Sequence, residues 1–258
     1  MNTSLSIAAV GLRAYQQKLD SISNNIANVD TTGYKTRDAS FSENLATSIM
    51  NQPNPQSEVG RLTPLGIRTT YGTHIGLTQL DLSQGSAKQT DNPYDLMIEG
   101  NGFFQVQRGS GNTRQIMYTR SGAFHLSPVG GTTSQLVNGD GDVLLDRTGN
   151  PILLNNTTDV QVAPNGTIVG SNQQIGVVQI SNPQLLTGEG GVYSLTGNGV
   201  VTFDPNSQVK QGFLENSNVD MNQEMTDLIK VQRGYQANAR ALSYADQMMG
   251  ISNSIYRG

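Results

Sequence analysis

Apolar residues recur every seven positions at both ends of this chain and roughly every second position in its middle. Leu5, Leu12, Leu19 and Ile26 form one column, and Ala8, Tyr15, Ile22 and Val29 follow three residues after each. That is the a/d seam of a helix, and a strict seven-residue repeat favours left-handed supercoiling against a partner. The seam predicts an N-terminal helix about 38 Å long at roughly 1.5 Å per residue. At the other end Met221, Leu228, Tyr235, Leu242, Met249 and Tyr256 repeat in the same way. Val231 and Ala245 take the d spacing there, while Glu224, Asn238 and Ser252 weaken that column. Asp220 followed by Gln223 reads as an N-cap with a capping box. Glu224 and Asp227 early, with Arg233 and Arg240 later, suit the helix dipole.

Between the helices the period changes. Residues 51–72 carry Pro53, Pro55, Gly60, Pro64, Gly66 and Gly72 and read as an extended loop. From Asp95 onward short apolar runs follow one another, among them Leu96–Ile98, Phe103–Gln107, Ile116–Thr119, Val143–Leu145, Ile152–Leu154, Ile175–Ile180 and Val200–Phe203. Asn138-Gly139, Asp140-Gly141, Pro164-Asn165-Gly166 and Gly197-Asn198-Gly199 divide them, and such residues tolerate the positive φ of hairpin turns. The expected fold is therefore mixed α and β. Paired, coiled-coil-like long terminal helices accompany an antiparallel all-β barrel or sandwich-like domain. The expected division is 1–30 with 219–258 as a helical domain, 31–94 as an extended connector, and 95–218 as a β-rich domain.

Composition sharpens the reading of the helices. Charged residues make up only 14% of the 258, against about 25% in an average soluble protein. Residues 1–29 hold just Arg13, Lys18 and Asp20, and the seam is flanked by Ala9, Gly11, Gln16, Lys18, Ser23 and Asn25, with one charge among them. A solvated two-stranded coiled coil usually carries charged flanks. These helices could pair only with each other, but the sparsely charged flanks point to neighbours on several sides. Gly11, Gly234 and Gly250 each weaken a helix by about 1 kcal/mol relative to alanine, which makes sense where backbones approach closely. Asn24, Asn25 and Asn28 crowd the end of the first helix, where asparagine is a poor interior residue, and suggest amides kept for contacts. The candidate assembly interface is thus Leu5, Leu12, Leu19, Ile22, Ile26, Asn24, Asn25, Asn28, Leu228, Tyr235, Asn238, Leu242 and Met249.

Candidate chemistry is sparse. The net charge of −4 carries no basic footprint for nucleic acid. No apolar run reaches the roughly 20 residues of a membrane span, and the N-terminus lacks the pattern of a cleaved signal. Without cysteine there is no disulfide and no thiol catalysis. Asn138-Gly139-Asp140-Gly141-Asp142 fails the calcium-loop order and reads as a β-turn. His74 and His125 have no ligand-spaced companions. Asn156-Thr157-Thr158 and Asn165-Gly166-Thr167 match glycosylation sequons by pattern and read as turns. Phe103, Phe104 and Phe124 read as core, and Arg120 as either a subunit contact or an exposed strand arginine. No catalytic, cofactor or metal site is expected.

Five segments carry a resemblance. Ser21–Lys35 (SISNNIANVDTTGYK) resembles the N-terminal signature of bacterial flagellar rod and hook proteins. Asp95–Val106 resembles that family's G-x-G-F-F-x-V strand, and Tyr118–Phe124 its Y-T-R-x-G-x-F. Leu214–Asp220 resembles its L-E-x-S-N-V-D, and Val231–Asn238 its V-Q-R-A-Y-x-x-N, with Gly234 in place of the usual alanine. The motifs stand in the family's order across nearly the whole chain, and their length and arrangement look most like the distal-rod type and its Gram-positive relatives. The resemblance implies a non-enzymatic axial subunit of the basal-body rod near the hook. It implies a helical homopolymer that transmits torque, contacts with other rod and hook axial proteins, and no membrane insertion. It further implies export by the flagellar type III apparatus to a place outside the cytoplasmic membrane, without a cleaved signal. The rival is a secreted cell-wall or glycan-binding β-domain on a helical stalk. A wall-opening enzyme would need a paired carboxylate site, and no distinctive pair is present.

Overall fold

The apolar seams do become helices. In the computed structural model, which describes residues 2–43, 46–49, 67–70, 72–109, 114–155, 160–171, 173–197, 199–204 and 207–257, α1 spans Asn2–Ala27 and α2 spans Met221–Arg257. Helix α1 stops two residues before Val29. Asn28 ends it by donating its side-chain amide to the Asn24 carbonyl at 2.8 Å, and Gly33 then turns the chain with φ of 70°. Asp220 directly precedes α2, in the N-cap position.

Strands fill the rest. The connecting region contains β1 (Arg37–Glu43), β2 (Ala46–Ile49), β3 (Ile67–Thr70), β4 (Thr73–Leu80) and β5 (Ala87–Gln89). Most of the expected 51–72 loop, residues 51–66 and 71, lies outside the described residues, but Ile67–Thr70 is a strand paired antiparallel with β2. Next come β6 (Leu96–Glu99), β7 (Phe103–Arg108), β8 (Gln115–Thr119), β9 (His125–Gly130), β10 (Thr133–Val137), β11 (Val143–Leu144), β12 (Leu153–Asn155) and β13 (Val177–Ile180). The last are β14 (Leu186–Glu189), β15 (Val192–Leu195), β16 (Val201–Phe203), β17 (Gln208–Gln211) and β18 (Phe213–Glu215).

Ten strands join in one antiparallel sheet with the path β12-β10-β11-β7-β8-β15-β14, from which β9 branches at β10 and β13 with β16 branch at β7. Its ends, β12 and β14, do not pair, so the expected barrel does not close. One edge of β7 serves two neighbours, Gln107 and Val106 pairing with β11 and Phe104 and Phe103 with β13, so the strand path branches there instead of running on around a ring. Strand β7 is covered on both faces. Alternation sends Phe104 and Val106 into a cluster with Phe124, Leu136, Leu144, Ile152 and Ile175, and Phe103 into a second with Tyr118, Val178, Ile180 and Tyr193. The three phenylalanines expected in the core are 0%, 0% and 2% exposed.

By backbone proximity the chain divides into two units: Met1–Ser23, Ala39–Thr78 and Asn222–Gly258 form one, and Asn24–Asp38 with Gln79–Met221 form the other. In the first unit α1 and α2 touch. A Cβ on Gly11 would stand 2.5 Å from Asn238 Nδ2, and one on Gly234 would stand 2.7 Å from the Tyr15 ring. Both glycines therefore serve a close approach, and Asn238 donates its amide to the Ala8 carbonyl at 3.0 Å. The Tyr15 ring also meets Phe41 edge-on at 5.5 Å. Gly250 has open space around it among the described residues.

Candidate functional site

The asparagines near the end of α1 divide their labour. Asn25 is 2% exposed. Its Oδ1 accepts from the Tyr34 hydroxyl and the Arg37 N–H, and its Nδ2 donates to the Arg37 carbonyl, each at 3.0 Å. It thus pins the last turn of α1 to the start of β1. Asn28 caps the helix and accepts from the Thr31 hydroxyl at 3.1 Å. Asn24 is exposed. Asn25→Ala leaves three polar groups without this partner, so a loss of about 2–4 kcal/mol is expected. Thermal unfolding of Asn25→Ala checks this, and Asn25→Asp should be nearly as damaging because it keeps the acceptor but loses the donor.

Just beyond, three of the quoted motifs meet in one buried cluster. Lys35, Arg120 and Glu215 are each 1% exposed or less. Glu215 Oε1 accepts from Lys35 Nζ at 2.6 Å and from the Gly85 N–H at 3.0 Å, while Oε2 accepts from Arg120 Nη1 at 3.0 Å. Lys35 also donates to the Ser83 carbonyl at 2.6 Å. The Arg120 guanidinium stands 5.4 Å over the Phe103 ring. Burial pushes the Lys35 pKa below its ordinary value despite the Glu215 carboxylate beside it, and lowers that of Arg120 for the same reason. Arg120 is therefore neither a subunit contact nor an exposed strand arginine; it is a core cation.

Neighbouring bonds extend this joint. The Gly33 N–H donates to the Glu215 carbonyl at 2.8 Å, and a Cβ on Gly33 would strike the Ser121 backbone at 2.3 Å. Asn218 Oδ1 accepts from the Thr36 N–H and hydroxyl, both at 2.8 Å, and its Nδ2 donates to the Asp81 carbonyl at 2.9 Å. The segment leaving α1 and the segment entering α2 are thereby tied to each other and to residues 81–85, the stretch that follows β4. Lys35, Glu215 and Asn218 stand within two of the resembling segments, where the sequence alone assigns them no role.

The remaining candidate residues lie along the helices. Ile22 is buried; Leu5, Leu12, Leu19, Ile26, Leu228, Asn238, Leu242 and Met249 are half-buried, and Tyr235 is exposed. Helix α2 carries a further apolar stripe beyond these: Tyr244, Met248, Ile251 and Ile255 are 63%, 58%, 60% and 76% exposed. Their spacing of four, three and four places them on one face, away from the seven-residue column. That spacing was the available signal.

The turn at Asn138–Asp142 is a structural one. Asn138 Oδ1 accepts from the Asp140 and Asp142 N–H groups, and Arg108 donates to both carboxylate oxygens of Asp142 at 2.8 Å. That ion pair raises the Arg108 pKa. His74 and His125 are exposed on β4 and β9. The sequon at Asn156 lies outside the described residues. Among the described residues no group of three or more histidine or acidic side chains is placed to hold a metal ion. No described helix is long and apolar enough to cross a membrane.

Three family descriptions match this chain. "Flagella basal body rod protein" matches residues 5–35, "Flagellar hook protein FlgE/F/G D1 domain" residues 97–170, and "Flagellar basal body rod FlgEFG protein C-terminal" residues 210–255. The chain is 34% identical over 272 residues to the flagellar hook-basal body complex protein FlhP of Bacillus subtilis, covering 99% of this chain and 100% of that protein. It is 33% identical to the basal-body rod protein FlgG of Buchnera aphidicola subsp. Schizaphis graminum, over 96% of this chain and 98% of the relative. With FlgG of Borreliella burgdorferi it shares 32% identity over the full length of both.

Proposed function

The chain belongs to the flagellar basal-body rod protein family and is a structural component of the rod, and on that premise we propose that it polymerises helically into a torque-bearing shaft through its two terminal helices. The observation that carries this reading is the apolar surface of α2. Half-buried seam residues on one face and the stripe from Tyr244 to Ile255 on another give this helix more apolar surface than one partner covers. A head-to-tail contact whose rotation does not close builds an open filament. Leu5, Leu12, Leu19, Ile22, Ile26, Leu228, Tyr235, Leu242 and Met249 supply the coiled-coil-like packing within and between subunits. Asn24, Asn25, Asn28 and Asn238 shape the helix ends and crossings that present it.

The buried joint has its place in this mechanism. Torque arriving on the helices reaches the β-sheet domain through Gly33–Arg37 and Glu215–Asn218, and a joint of buried ion pairs and paired amides resists deformation. The other rod and hook axial proteins are its neighbours. It is exported by the flagellar type III apparatus without a cleaved signal, and it catalyses no reaction. The relatives named above carry rod or hook-basal body names, which does not favour the glycan-binding alternative.

The test is a double substitution in the seam. Leu12→Asp with Leu19→Asp is expected to eliminate the chain from purified basal bodies while the melting of the β-sheet domain stays within about 0.5 kcal/mol of wild type, as for distant sites. Normal incorporation of that variant, read by immunoblot of basal bodies, overturns the proposal.

A further inference from the structure

Asn-Gly pairs stand at 101–102, 138–139, 165–166 and 198–199. In such a pair the glycine carries no Cβ, so its nitrogen can reach the amide carbon of the preceding side chain. The structure sorts the first three pairs; Asn198 lies outside the described residues. Asn138 is caged. It is 5% exposed, its Oδ1 accepts from the Asp140 and Asp142 N–H groups at 3.0 and 2.8 Å, and its Nδ2 donates to Asp142 Oδ2 at 3.2 Å. Asn165 Oδ1 accepts from the Thr167 N–H at 3.0 Å, and the Gly166 N–H is taken by the Ala163 carbonyl at 2.8 Å. Either pair must break hydrogen bonds before the glycine nitrogen can meet the amide.

Asn101 has no such ties. It lies with Gly100 and Gly102 in the short connection between β6 and β7, it is exposed, and its amide makes no hydrogen bond with the described residues. The Gly102 N–H also has no acceptor among them. A Cβ on Gly102 would stand 2.5 Å from Val177 Cγ1 and 3.1 Å from Ser207 Oγ, so close packing demands glycine at the position that carries this nitrogen. On the other side, the Gly100 carbonyl accepts from Arg120 Nη2 at 2.5 Å, which makes this connection one support of the buried joint.

We propose that Asn101 is a site of spontaneous modification, where the chain converts its own asparagine to isoaspartate and so loosens the joint. Hydroxide removes the Gly102 N–H proton, and the nitrogen attacks Asn101 Cγ. The N–Cγ bond forms as the Cγ–Nδ2 bond breaks, and the amide nitrogen takes a proton from water and leaves as ammonia. Water then opens the resulting succinimide. Opening at the main-chain carbonyl leaves Gly102 attached through Cγ, with a free carboxylate beside it. The main chain thereby gains a methylene between Gly100 and Phe103, and the Gly100 carbonyl is pushed from its place on Arg120. The site does not depend on polymerisation, because these residues all belong to the unit formed by Asn24–Asp38 and Gln79–Met221.

Peptide mapping by mass spectrometry reads the reaction in the full-length chain, aged at mildly alkaline pH both folded and in urea. In urea the Asn-Gly pairs should convert at similar rates. In the folded chain Asn101 should stay within about tenfold of its own unfolded rate, since no hydrogen bond has to break. Asn165 should slow by about tenfold or more and Asn138 by about 100-fold or more, because two and three bonds hold them. Asn101→Gln, whose longer side chain closes the ring poorly, should remove the product while leaving the fold in place. The isoaspartyl fraction should melt below the fresh chain, whereas Asn101→Asp, which adds the charge without the extra methylene, should melt with it. A folded Asn101 slowed more than about tenfold, or an Asn138 that converts as fast, overturns the site. An isoaspartyl fraction that melts no lower than Asn101→Asp overturns the effect on the joint.

Discussion

Replacing Glu215 with alanine is expected to lower the melting temperature of the β-sheet domain by roughly 6–20 °C. Removing one partner of a buried ion pair costs about 3–5 kcal/mol, and each kcal/mol moves the midpoint by about 2–4 °C in a domain of this size. Here the loss falls on two cations at once. Lys35 Nζ and Arg120 Nη1 both lean on this one carboxylate, and all three side chains are at most 1% exposed. Lys35→Met should be milder, because it leaves Arg120 and Glu215 as a balanced pair.

The pH dependence separates this account from simple loss of packing. Burial already holds the Lys35 pKa below 10.5, and Glu215 is the largest influence opposing that shift. Without Glu215 the folded-state pKa falls further, so the folded chain binds fewer protons than the unfolded chain over the interval up to 10.5. Stability then rises with pH across that interval. The deficit of Glu215→Ala relative to wild type should therefore shrink between pH 7 and pH 10, as the buried amine loses its charge. A deficit that is constant over this range rejects the role assigned to the carboxylate.

The second large effect is on assembly. Met248→Asp with Ile251→Asp should abolish incorporation into the rod and leave folding untouched. Both side chains are more than half exposed, so the isolated chain has little to lose, and surface substitutions of this kind usually stay within about 0.5 kcal/mol. Burying one such apolar side chain in a contact is worth about 1.5–3 kcal/mol, and a buried aspartate costs more. Association should weaken roughly 100-fold or more per contact. Thermal unfolding and basal-body fractionation read the two halves of this prediction separately.

The sequence exposed some of this architecture and hid the rest for identifiable reasons. The α1 seam and strands such as β7 were legible because their periods are local. Strands β14 and β17 were not, since Leu186–Glu189 and Gln208–Gln211 each contain a single large apolar residue and owe their conformation to their partners β15 and β6. Barrel closure depends on whether β12 meets β14, which no local pattern encodes. The ionic joint was hidden for two reasons. Its members lie 180 and 95 residues apart from Glu215, and lone lysine and glutamate residues are ordinarily solvated. The α2 stripe shows in the four-three-four spacing of Tyr244, Met248, Ile251 and Ile255, beside the longer and more regular seven-residue column. Asn25, expected among the contact residues, has its amide bonded inside the chain to Tyr34 and Arg37, partners 9 and 12 residues away that the helical pattern does not reveal.

Electron cryomicroscopy of basal bodies purified with this chain in place tests the central claim most directly. The account predicts density for α1 and α2 on the inner wall of the rod, with Met248 and Ile251 packed against the helices of an adjacent axial subunit. Rod density with those side chains facing solvent, or a complete rod from which the chain is missing, contradicts it.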